Sequence, residues 1–354
     1  MEKLMGLSSK SAQTGRSRKI YSAVAVLAVA SLALTGCSRG GSSSGGKTIT
    51  IRYALGQVKG TPVADAAVAF QKEVESKSGG KIKVKVYYSG DIGSNEDVME
   101  QAHDGTVQLF TVDPSFLEPY YPAAQFTTLP FLFKDTTAAY GYWDGPIGTE
   151  EKDAILKNSG MRVLNAEEFG FHNLVNSKRP IHTIADVAGL KFEASDSPVD
   201  VKFFNALKIH PVVTSLSETY TALQQGVING IDLGFGSLLA QKQYEVAKYI
   251  AVTNDSYSTG LTMANEKFFQ GLSSADQKIL EAAAADVEGT ERTAQQAADA
   301  SAETYIKAHG GVVTDISDTE LQKFKDAMAP IYDDVSGLIG ADAAKWYGEY
   351  TAGN

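Results

Sequence analysis

Three strand-like runs, TITIRYAL (48–55), KIKVKVYYSG (81–90) and VQLFTVD (107–113), are separated by two helical ones, and this order limits the possible folds more than any other feature. VADAAVAFQKEVESKSGG is amphipathic and stops at a glycine pair, as helices do. GSNEDVMEQAHDG opens on a Ser/Asn cap. Connections of that length are too long for hairpins, so the strands are expected to run parallel in an α/β sheet. An apolar plug, LPFLF (129–133), follows.

A second α/β unit runs from MRVLNAEEFGFHNLVNS (161–177) through GLKFEAS, the helix SPVDVKFFNALKI and the strand HPVVTS into SETYTALQQGVINGIDLGFG (217–236). Two such units joined by crossing segments predict a bilobed α/β chain with a ligand cleft at the strand ends. Near the C-terminus, Ser274-x-x-Gln277 has the spacing of a capping box and opens an Ala-rich stretch of more than thirty helix-favouring residues. A helix of that length reaches about 50 Å and is expected to bridge both lobes.

The first residues belong to no lobe. Lys10, Arg16, Arg18 and Lys19 precede the apolar run YSAVAVLAVASLAL, which is too short for a spanning helix and reads as an export signal. The run ends at Leu34-Thr35-Gly36-Cys37, which resembles a lipobox, and Cys37 is the only cysteine, so it is expected to carry the lipid anchor. SRGGSSSGGKT then has linker composition. Gly41–Thr48 also fits GxxxxGK[ST] by spacing, but no strand precedes it and no helix follows, so a phosphate loop is rejected. The expected organisation is 1–36 signal peptide, 37–47 lipidated cysteine and linker, 48–168 with roughly 257–300 lobe 1, and 169–256 with roughly 301–354 lobe 2. Without residues 1–36 the chain carries 27 basic and 41 acidic residues, a net −14, which argues against a nucleic-acid or anionic-lipid face.

Five segments in order, AFQKEVESKSGGKIKVKVY with the GSNEDVMEQ helix, YPAAQFTTLPFLF, GFHNLVNSKRPIHTIADVAGLKF, SLSETYTALQQGVINGID and YEVAKYIAVTN, resemble the solute receptors of tripartite ATP-independent periplasmic (TRAP) transporters, the DctP type. The resemblance implies a periplasmic-binding-protein-like fold that closes around one small ligand, no enzymatic activity, no cofactor, a monomer, and delivery to small and large membrane subunits. It also exposes departures. The family's GLKxR arginine, which grips a ligand carboxylate, is Glu193 here, and the GFRN arginine is His172. The DGxENP segment reads Asn229-Gly230-Ile231-Asp232-Leu233-Gly234, and the T-x-H histidine becomes Asp255, while Asp113 is kept.

Those positions give the candidate ligand site: Glu193, His172, Asp113, Asp232, Leu233, Asn95, Phe235 and Asp255, with Phe235 and Tyr257 as aromatic walls. A glutamate in place of an arginine reverses the polarity of the pocket, so a cationic or neutral polar ligand is expected instead of a simple dicarboxylate. Two alternatives stay open: an organic acid bridged by a divalent cation on Glu193 and Asp232, and a lipoprotein serving an ABC importer. Paired carboxylates also suit glycoside hydrolysis, but no GxSxG or HExxH motif accompanies them. The acidic pairs Glu167-Glu168 and Asp333-Asp334 are expected to be solvated.

Overall fold

The structure, a computed structural model, describes residues 48–195 and 197–353. The expected signal peptide, Cys37 and the linker to residue 47 lie outside them. In chain order the strands are β1 (Ile49–Leu55), β2 (Ile82–Tyr87), β3 (Leu109–Val112), β4 (Met161–Phe171), β5 (Asn173–Asn176), β6 (Lys191–Ala194), β7 (His210–Val213), β8 (Gly230–Leu233), β9 (Tyr249–Val252), β10 (Tyr257–Asn265) and β11 (Val312–Asp315). The helices used below are α1 (Pro62–Lys77), α2 (Asn95–His103), α3 (Thr136–Trp143), α4 (Pro146–Ser159), α5 (Pro198–Ala206), α6 (Thr219–Gln225), α7 (Phe235–Ala240), α8 (Glu266–Gln270) and α9 (Ser274–Ala308).

Two sheets form, with orders β2-β1-β3-β10-β4 and β11-β9-β5-β8-β6-β7. β1 pairs in parallel with β2 and β3, as the helical connections require. Neither sheet is purely parallel, however. β10 enters the first sheet antiparallel between β3 and β4, and β5 runs antiparallel to β8 and β9 in the second. The chain crosses between the sheets through α9, from β10 to β11, and by two short crossings, from β4 to β5 and from β9 to β10. The short crossings are joined: His172 N–H donates to Ser256 O at 2.9 Å, and the Asn173 side-chain oxygen accepts from the N–H groups of Thr253 (3.1 Å) and Asn254 (3.3 Å). Asn254 takes φ +43°, a left-handed turn that asparagine tolerates.

α9 bridges both sheets. Its 35 residues reach about 52 Å. Leu280, Ala283, Ala284 and Val287 pack into the core of the first sheet with Ile51 and Phe70, and Ala302 and Ile306 into that of the second with Val175 and Ile231. Its cap is Ser273, one residue earlier than the spacing suggested, with its side chain accepting from Asp276 N–H at 3.2 Å. The C-terminal residues do not keep to one sheet. Trp346, wholly buried, meets Tyr121 and Phe126 edge-on, while Met328 and Ile331 share a core with Phe203 and Phe204 of α5. The lobe division we propose therefore follows the two sheets, with residues 318–353 strapped across both, not assigned to lobe 2.

The acidic pair Glu167-Glu168 is a correction. Each residue is 1 % exposed, because α9 covers β4 there, whereas Asp333 and Asp334 are exposed as expected. One close approach in the second sheet also fixes a residue type. A Cβ on Gly230 would lie 1.9 Å from Cε1 of the fully buried Phe192 on neighbouring β6. Gly230→Ala is expected to cost about 3 kcal/mol through forced repacking, read as a lower urea midpoint with unchanged slope. An unchanged midpoint would show that Phe192 can move aside.

Candidate ligand-binding site

A cavity of about 160 Å³ opens where the carboxyl ends of parallel strands from both sheets converge. β3 delivers Asp113, β6 delivers Glu193, and β8 delivers Asp232 and Leu233. The start of α2 adds Asn95, and the β4-to-β5 crossing adds His172. Six of the eight candidate residues thus line one space. Phe235 does not: it opens α7 and turns into the core of the second sheet with Leu238 and Ile306, so the aromatic wall comes from Tyr257, Phe169, Phe203 and Phe204. Asp255 is 0 % exposed and lies behind the lining in the second crossing.

The lining also holds residues that the sequence did not single out. Asp200 sits in the first turn of α5, where an acid after the Ser197 cap reads as ordinary helix chemistry. Its carboxylate accepts from the Ser195 hydroxyl. Ser258 donates to Asp113 Oδ2 at 2.6 Å, and Asp113 Oδ1 accepts from Ser115 N–H at 2.9 Å. Gln57, 8 % exposed, brings a side-chain oxygen with no hydrogen-bond partner among the described residues.

The electrostatics follow from crowding acids in a buried space. Burial, reinforced by the charges of Asp200 and Asp232, pushes the Glu193 carboxyl up to about 8. Burial lifts Asp200 to about 6 despite the Ser195 hydrogen bond. Burial works against the His172 imidazolium, but its contact with Asp232 outweighs that and raises its proton affinity overall. Nδ1 of His172 lies 3.6 Å from Asp232 Oδ2. No lysine or arginine stands among the described lining residues, so His172 is the only side chain there that can carry positive charge. No group of three or more His, Cys, Asp or Glu among the described residues is arranged to hold a metal ion.

The sequence pattern of the DctP family, described as bacterial extracellular solute-binding protein, family 7, matches residues 56–337. The chain belongs to this family. The C4-dicarboxylate-binding protein of Bacillus subtilis (strain 168) is 26 % identical over 295 residues, 83 % of this chain and 84 % of that one. A sugar acid binding protein from Advenella mimigardefordensis, solved with galactonate, superposes with TM-score 0.83 at 27 % identity, covering 87 % of this chain and 99 % of that one. A TRAP periplasmic solute binding protein from Sulfitobacter, solved with β-D-galacturonate, gives TM-score 0.81 at 26 % identity over 85 % and 99 %. The bilobed α/β fold expected from the sequence is therefore that of the DctP family, and the ABC-importer alternative is dropped. No described helix of this DctP-family chain is long and apolar enough to cross a membrane.

Proposed function

We propose that the chain is the extracytoplasmic receptor of a TRAP transporter, capturing a small hydroxyl-rich solute whose head group is cationic or uncharged. It hands the solute to the membrane subunits while tethered as a monomer through lipidated Cys37. The observation that carries the ligand class is the lining itself: Asp113, Glu193, Asp200 and Asp232 face one cavity, with no lysine or arginine among the described lining residues. A carboxylate entering this space meets like charge and finds no fork of donors to receive it. The sugar acids bound by related receptors support a small polyhydroxylated solute, since hydroxyls can donate to these carboxylates, but they do not support the change of head group. That change rests on this chain's own residues.

A thermal-shift screen of the protein lacking residues 1–36 against sugar acids, C4-dicarboxylates, polyols, amino alcohols and amino sugars tests the ligand class. Binding to the folded state stabilises by mass action, so a true ligand raises the melting temperature further with each rise in concentration. We expect shifts from amino alcohols, amino sugars or polyols. Shifts confined to the acids would overturn the head-group assignment and leave the receptor assignment standing.

A further inference from the structure

A second cavity, of about 210 Å³, lies beside the first and is larger than it. Gln57, Phe169 and Ser237 line both, so the two spaces share one partition. Their character differs. The first is crowded with acids, whereas no charged residue stands among the described residues lining the second. Its apolar surface comes from Pro62 and Val63 at the start of α1, Leu239 and Ala240 on α7, and Ala298 and Ala302 on α9. These walls are tied in place. Asp299 Oδ1 accepts from Gly236 N–H at 2.7 Å and from the Gln295 side chain at 3.1 Å, which joins α7 to α9. Thr61 caps α1, and its hydroxyl donates to Val58 O at 3.0 Å.

Gln57 marks the partition as a place for a bound group. Its backbone is pinned where β1 ends: Gly56 N–H donates to Thr111 O at 3.0 Å, and Gln57 O accepts from Ser89 N–H at 3.1 Å. The side chain is 8 % exposed, and its Oε1 is buried with no hydrogen-bond partner among the described residues. An unmet acceptor at such depth destabilises the protein unless a bound group supplies a donor. We propose that the second cavity is a subsite for an uncharged, largely apolar arm of the same solute, joined to its head group at Gln57, where Oε1 accepts from a hydroxyl or N–H of the solute. Ala298 and Ala302 keep the space open, since a larger side chain at either would fill it. A charged arm would be desolvated there without a partner, whereas each methylene of a neutral arm gains by leaving water. The solute is thus longer than the first cavity alone would hold. The inference rests on the reading of the first cavity as a solute site and adds the part of the solute that reaches beyond it.

The test is isothermal titration of the protein lacking residues 1–36 with methyl, propyl and pentyl β-D-glucosaminide, which share an ammonium and hydroxyls on the sugar and differ only in the arm. Affinity should rise about threefold per methylene, and Ala298→Phe should remove the advantage of pentyl over methyl. Equal affinity across the series in the unmodified protein, or a gain that survives in Ala298→Phe, would overturn the subsite. Should no glucosaminide bind, the failure lies with the head-group reading, and methyl NMR of the same protein with 1-butanol decides the subsite by itself. Saturable shifts at Val63, Leu239, Ala298 and Ala302 support it, and their absence ends it. The same measurement decides if Ala298→Phe does not fold.

Discussion

Glu193→Arg is expected to weaken capture of a cationic solute by at least about a thousandfold, and to create affinity for sugar acids such as galactonate. An arginine charge about 4 Å from a ligand charge is worth roughly 4 kcal/mol at an effective dielectric near 20, and where Glu193 is ionised the exchange roughly doubles that. Half of that swing corresponds to a factor of about a thousand in Kd. Isothermal titration with one amine and one sugar acid, on both proteins, reads the exchange. The pH dependence separates the two head groups. Because Glu193 holds its proton up to about 8, a cation that binds the carboxylate must expel that proton, so its affinity rises with pH between 6 and 8. An uncharged polyol that accepts from the protonated acid loses affinity as pH rises past 8. If the arginine variant keeps full affinity for the ligand of the unmodified protein, Glu193 lies outside the contact surface.

Raising the pH from 5.5 to 8.5 is expected to lower the melting temperature by on the order of 5 °C or more. The cause is a set of buried carboxyls apart from the ligand cavity. Burial pushes Glu151 and Glu167 up to about 8, Glu291 up to about 9 and Glu168 up to about 7. Each has few partners: Tyr142 donates to Glu151, Tyr140 to Glu168, and Thr262 to Glu167, while Arg292 is engaged by Asp144 and Glu288. Unfolded, these acids lose their protons near 4.5, so between that pH and their folded values the native state binds more protons. Their contribution is therefore fully present below about 4.5 and is lost as pH rises through 7 to 9. Half-buried acids such as Glu75 are held down by Lys83 and act in the opposite sense only at the acid end. Calorimetry across the window checks the slope, and Glu167→Gln with Glu291→Gln should flatten it. A melting temperature that is level or rises toward pH 8.5 would show that these groups are ionised in the native state.

How much of this was legible in the sequence depended on range. KIKVKVYY alternates because one face of β2 is buried, and local periodicity shows that directly. The antiparallel entry of β10 beside β4 joins residues nearly a hundred positions apart, and nothing in either strand's own pattern records it. The same limit explains Glu167 and Glu168, whose cover comes from α9. In the site, substitutions at family positions led to Glu193, His172 and Asp232. Asp200 was hidden because an acid three residues after a serine cap is normal at any helix start. Phe235 was misplaced because an aromatic beside a glycine reads equally well as cleft wall or core.

The position of β10 also bears on the order in which the two sheets can form. β10 lies between β3 and β4, so the first sheet cannot be completed until residue 265 has left the ribosome, after every strand of the second sheet except β11. An N-terminal fragment ending before β10 would leave β4 with no partner in its sheet. Long-range pairing of this kind slows folding. Three-quarters of the chain must be made before its first sheet can close, whereas the strands of its second sheet, β11 apart, have all been made by then.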